Sequence, residues 1–112
     1  MVGKIKVIFT THVIDFLDDL VRLLYKKEYF GFIETAQEYV SKIYDSVPEN
    51  LRLSTHKPTP QKLRYLGSSY IFYKANNRTT WYIFFERQDF VFLITGIINN
   101  HCKEAREFLF LK

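Results

Sequence analysis

Between Glu49 and Glu86 the chain carries no acidic residue, while Arg52, Lys57, Lys62, Arg64, Lys74 and Arg78 all fall there. Six cations in that stretch, set against a net charge of +4 for the whole chain, leave the remainder at −2. A field of one sign attracts polyanions, and the aromatic residues interleaved with it, Tyr70 among them, offer faces on which exposed bases stack. A solvated basic loop and hairpin would account for the same composition. Lys62 and Arg64 alternate with Leu63, so an extended backbone there would put both cations on one face. Lys74 and Arg78 flank Asn76-Asn77, where they suit outlying phosphate contacts, and Lys57 adds to the same field. His101 stands apart from the tract. Its imidazole is the one group among these whose ordinary titration lies near neutrality, which makes it the candidate general acid or base. A polar cap on the turn after the last strand would use the same residue. Cys102 lies beside it, but neighbours in a turn rarely point together, so a thiol pair is not expected.

That single cysteine excludes an internal disulfide framework and any CxxC metal or redox motif, and a reducing compartment fits it. No cofactor is implied. Lys4, Ile5 and Lys6 come too early to leave room for an apolar signal core, and no later apolar run reaches membrane-spanning length. The expectation is a cytoplasmic protein with no membrane partner. Its 112 residues, 47% of them apolar, can close one hydrophobic core but not two, so residues 1–112 are read as a single domain.

The elements that must hold these groups are legible in the pattern. Ile5 to Thr10 reads as a strand with Ile5, Val7 and Phe9 on one face. Thr11 is placed as a helix N-cap, and from His12 to about Lys27 Val13, Leu17, Leu20, Val21 and Leu24 keep helical spacing. A connection at Glu28 to Gly31 leads to a second helix with Ile33, Ala36, Val40, Ile43 and Val47 on its stripe, stopped by Pro48. Glu38 and Lys42 can pair across one of its turns. The stretch from Pro48 to Pro60 reads as loop or edge, followed by an extended segment over Gln61 to Leu66 and a turn at Gly67-Ser68. Ser69 to Ala75 and Thr79 to Arg87 then form a hairpin around Asn76-Asn77, a turn expected to tolerate positive φ. Phe90 to Ile98 is apolar on both faces and therefore reads as a covered central strand. Asn99-Asn100-His101 ends it, and Lys103 to Leu111 reads as a short C-terminal helix. The fold class is α+β: an N-terminal strand, then an antiparallel two-helix hairpin on one face of an antiparallel meander. The first strand joins that sheet at an edge or beside the last strand.

The Lys62-Leu63-Arg64 segment, the Tyr70-Ile71-Phe72-Tyr73 strand and the Trp81 to Ile98 hairpin ending in Asn99-Asn100-His101 occur in an order that resembles the RelE/ParE superfamily of bacterial toxins. The resemblance covers nearly the whole chain and rests on that order. It implies a toxin silenced by a cognate antitoxin. Members similar to RelE cleave messenger RNA, usually on the ribosome and without a metal. Such chemistry needs a base for the ribose 2′-hydroxyl, an acid for the departing 5′-oxygen, and cations on the phosphate between them. On this resemblance His101, Lys62 and Arg64 are the catalytic candidates, with the two cations binding phosphate and stabilising the transition state. Lys57, Lys74, Arg78 and Tyr70 are the nucleic-acid-binding candidates. Ribonuclease members share an Arg beside the aromatic that begins the third strand, where this chain has Tyr70 or Ile71. Many also carry a terminal Tyr, where it has Phe108 and Phe110. Proton transfer would then rest on His101, or on Tyr65 or Tyr70 as a substitute. Two alternatives stand beside the ribonuclease: inhibition of DNA gyrase in the ParE manner, and a non-catalytic basic interaction domain on the same scaffold.

Overall fold

A computed structural model of the chain describes residues 4–26, 33–53 and 56–110. Strand β1 (Lys6–Phe9) leads into helix α1 (Thr11–Lys26), which is followed by α2 (Ile33–Arg52) and a two-residue strand β2 (Lys57–Pro58). A 3-10 segment (Gln61–Leu66) precedes β3 (Ser69–Lys74), β4 (Thr80–Gln88) and β5 (Val91–Asn99), and a second 3-10 segment (Lys103–Phe110) comes last. The connection at residues 28–31 lies outside the described residues.

The α+β class holds, but the sheet is mixed. Its order is β1-β5-β4-β3-β2, and β1 runs parallel to β5, with Lys6 opposite Val91 and Phe9 opposite Ile94. Tight turns oblige β3, β4 and β5 to alternate in direction. No such turn joins β1 to β5, so its direction is set by how the two helices return the chain. β5 is thus flanked by strands on both sides, and its continuous apolar run is met by cover on both faces, from the helices on one and the 3-10 segments on the other.

Three further expectations are corrected. The cap of α1 is Thr10 rather than Thr11: its Oγ1 accepts from Val13 N at 3.4 Å, one position before the helix proper. α2 runs through Pro48 to Arg52. Proline removes one backbone donor there, yet Val47 and Leu51 on either side of it are buried against the sheet, and that packing holds the last turn. His56 Nε2 donates to Leu51 O at 2.7 Å and satisfies one of the terminal carbonyls. Finally, Gln61–Leu66 is not extended. Leu63 and Leu66 are three apart, the repeat of a 3-10 turn, and both face the sheet.

The sheet therefore has two covered faces. On one, Val13, Leu17 and Leu20 of α1 and Val40, Ile43, Val47 and Leu51 of α2 pack on Ile71, Trp81, Ile83, Phe85, Phe92 and Ile94. On the other, the 3-10 segments bring Leu63, Leu66, Ala105 and Phe108 onto Tyr70, Phe84 and Ile98. Alternation along β4 sends Phe84 and Phe85 into opposite cores, and a bulge on β5 opposite them leaves Thr95 unpaired, so that Ile94 and Ile97, three apart, both face the helix side. Thr95, left over in the bulge, donates its hydroxyl to Leu66 O. Gly67 and Gly96 let the first 3-10 segment lie this close. A Cβ on Gly67 would come within 2.8 Å of Phe85 N, and one on Gly96 within 2.9 Å of Leu66 O. No helix among the described residues is long and apolar enough to cross a membrane.

Candidate nucleic-acid interface

The strand directions give the sheet two ends with different chemistry. Lys74, Thr80 and Asn99 lie at one end, and Ser69, Gln88 and Val91 at the other. At the first end, the residues that close β5 are tied to the turn between β3 and β4. Asn100 Nδ2 donates to Arg78 O at 3.0 Å, and its Oδ1 accepts from Thr80 N at 2.9 Å. Asn99 Oδ1 accepts from His101 N at 2.8 Å and shapes the turn that follows the strand. The turn on the other side is held by Asn76, whose Oδ1 accepts from Arg78 N at 2.8 Å and Thr79 N at 2.9 Å. This side-chain mimic of a backbone turn replaces the positive φ expected at Asn76-Asn77. Among the described non-glycine residues, positive φ occurs at Asp89.

These bonds place His101 against Thr79, with Nε2 3.2 Å from Thr79 Oγ1. Two clefts open from the imidazole. One is bordered by Asn77 and Arg78. The other, of about 420 Å³, runs past Asn100 and Tyr82 to Lys103 and Arg106. Arg78, Lys103 and Arg106 are all exposed, so three cations surround the ring without an ion pair among the described residues. Glu104 and Glu107 sit on the same terminal segment but are not among the residues lining that cleft. No described group of His, Cys, Asp and Glu side chains is arranged to hold a metal ion.

The exposed part of the sheet face beside this end carries aromatics. Phe72 pairs across the strands with Tyr82, Lys74 with Thr80, and these four side chains share one face. Phe72 is 45% exposed. Tyr82 is stacked on Phe108 at 4.1 Å, and burial holds its phenol above the usual value. Cations beside an exposed ring, here Phe72, suit the binding of single-stranded nucleic acid through phosphate and base together.

The site residues read from the sequence are divided by this geometry. His101, Arg78 and Lys74 gather at one end. Lys57, Lys62 and Arg64 belong to the other: Lys57 pairs with Tyr70, and Arg64 Nε donates to Thr59 O at 3.3 Å beside that pair. β3 separates the two groups by about 17 Å of strand. In the 3-10 turn Lys62 and Arg64 also leave the common face that an extended segment would have given them. Tyr70 is 5% exposed, with its ring 4.8 Å from that of Phe108, so it packs the core and has no face for a base. Burial, and then the neighbouring Tyr82, raise its pKa. Sequence reasoning missed Phe72, Thr79, Tyr82, Lys103 and Arg106. For Phe72 the signal was present, because it alternates with Lys74; for Lys103 and Arg106 it lay in their proximity to His101 along the chain.

The arrangement can hold phosphate on either side of one imidazole and can move one proton at a time. The site belongs to an α+β protein with a five-stranded mixed sheet, helices on one face and 3-10 segments on the other. Comparison with family models, with curated proteins and with solved structures finds no match.

Proposed function

We propose that this chain is a toxin of the RelE/ParE type, acting in the cytoplasm on RNA from the His101 end of its sheet and restrained by a cognate antitoxin. The observation that carries the reading is the imidazole fixed on Thr79 between two clefts lined by Arg78 and by Lys103 and Arg106. In this reading the cations hold successive phosphates, Phe72 receives a base, and His101 takes or returns the proton of the reacting ribose oxygen. No metal takes part. Lys62 and Arg64 lie too far along the sheet to touch the same phosphate, so transition-state charge falls to Arg78, Lys103 and Arg106.

Expression in a bacterial host tests the proposal. Growth arrest accompanied by fragmented messenger RNA is expected, and His101→Ala should lower cleavage by about 10²- to 10⁴-fold, the usual worth of a positioned acid or base. Lys62→Ala should leave it within about twofold. Arrest with intact RNA and failed DNA supercoiling would point instead to gyrase.

One observation favours a second reading, a non-catalytic interaction domain. A complete transesterification calls for a second proton-transfer group beside His101, and the hydrogen bond of its imidazole goes to Thr79, whose hydroxyl is neither an acid nor a base near neutral pH. RNA that binds, releases with salt and stays whole would select this reading.

A further inference from the structure

His101 also borders a third cleft, on the helix side of the sheet, of about 450 Å³. Its walls are apolar, with Leu23 of α1 and Trp81 of β4 among them, and its rim carries Asn76 and Asn99 besides His101. The volume suits a small planar molecule, and apolar walls with a few convergent polar groups are the usual makeup of such a site. The rim has a definite polarity. Asn76 Oδ1 is taken by Arg78 N and Thr79 N, and Asn99 Oδ1 by His101 N and Cys102 Sγ. Both carboxamide oxygens are therefore occupied by the chain, which leaves their NH₂ groups as donors, beside the hydroxyls of Thr79 and Tyr39 that also line the slot.

We infer that this cleft is a nucleobase pocket for a base presenting carbonyl oxygens, the base belonging to the nucleotide whose phosphate lies at His101. The inference rests on the RNA reading above and names the part of the substrate that enters. A donor rim matches the two carbonyls of uracil, whereas the exocyclic amine of adenine would meet a second donor. Apolar walls desolvate the base faces, while the rim hydrogen bonds fix which edge points inward. An apolar side chain from a protein partner would fill the slot but leave both amide donors without acceptors.

Trp81 is the only tryptophan in the chain and lines this cleft, with its Nε1 donating to Tyr39 Oη at 3.1 Å, so its emission responds to a ligand seated there. The full chain is titrated with uridine, adenosine, inorganic phosphate and uridine 3′-monophosphate. Trp81 emission and the NMR signals of the His101 ring are followed together, and retention of a single-stranded RNA on filters is measured in parallel. Uridine should change Trp81 emission saturably, with an affinity about fivefold or more above that of adenosine. Phosphate should shift the His101 signals alone, and uridine 3′-monophosphate should move both reporters. Leu23 is 47% exposed, so Leu23→Ala should fold normally and weaken uridine binding about fivefold. Unchanged Trp81 emission with uridine and its 3′-monophosphate, while RNA is still retained, overturns the pocket and leaves the interface standing. Adenosine binding as tightly as uridine also overturns it. Saturable uridine binding without RNA retention supports the pocket and removes the interface.

Discussion

Thr59 is 2% exposed and its hydroxyl has no hydrogen-bond partner among the described residues, even though its backbone is fully used by Ser68 and Arg64. A buried hydroxyl without a partner costs folding energy that a methyl group of the same shape does not. Thr59→Val is therefore expected to raise stability by about 1 kcal/mol in urea unfolding, and a loss of stability would mean that the hydroxyl has a partner. The catalytic candidates behave differently at this scale. His101 could be found from residue type, since it is the near-neutral group next to a strand end. Its hydrogen bond to Thr79 joins positions far apart in the chain, and nothing local announces it. Tyr70 misled for the opposite reason: an aromatic in a basic tract reads as a stacking surface, but the terminal 3-10 segment that covers it contributes its ring contact from Phe108.

At the scale of elements, α1, β3, β4 and β5 were legible because each carries several turns or pleats of unbroken periodicity. The errors fell where a local rule met a tertiary one. Proline as a helix stop is sound for an isolated helix, but Leu51, three residues past Pro48, is 3% exposed and ties the last turn of α2 to the sheet. Replacing that residue should show the cost it still imposes. Pro48→Ala restores an amide donor for the Tyr44 carbonyl and is expected to raise stability by about 1 to 3 kcal/mol, read as a higher urea midpoint with an unchanged slope. A drop would show that the helix needs the proline geometry. The segment at Gln61–Leu66 was misread because Lys-Leu-Arg alternates like a strand. Pro60 before it and Gly67 after it, together with Leu63 and Leu66 spaced by three, were the competing signals, and burial on the far side of the sheet decided between them.

For the molecule as a whole, the net charge matters less than its separation into two ends of one sheet. If RNA follows the His101 end, Lys103→Ala or Arg106→Ala should each reduce the dependence of log K on log salt by about 0.7, the worth of one phosphate contact on a single strand. Lys62→Ala should leave that slope unchanged; an equal change would mean that RNA runs the full length of the sheet. The aromatic content leaves a second global signature. Burial raises the pKa of Tyr44, with Asp18 adding to it, and burial likewise raises Tyr70 and Tyr82. The folded chain thus keeps these phenolic protons after the unfolded chain has begun to lose them near pH 10.0. Their contribution is complete below that pH and declines as pH rises through the folded values. Thermal midpoints should therefore fall above about pH 10, and Tyr82→Phe should flatten the fall. Strand order was only partly readable, since periodicity reports which face a residue occupies and not which distant strand lies beside it. The pairing of Lys6 with Val91 has its own outcome for biosynthesis. β1 emerges first from the ribosome but has no neighbour until β5 has followed, and the histidine end is made later still. A partly translated chain consequently lacks both its closed sheet and the end that carries His101, so a toxin of the proposed kind could act only after its synthesis is complete.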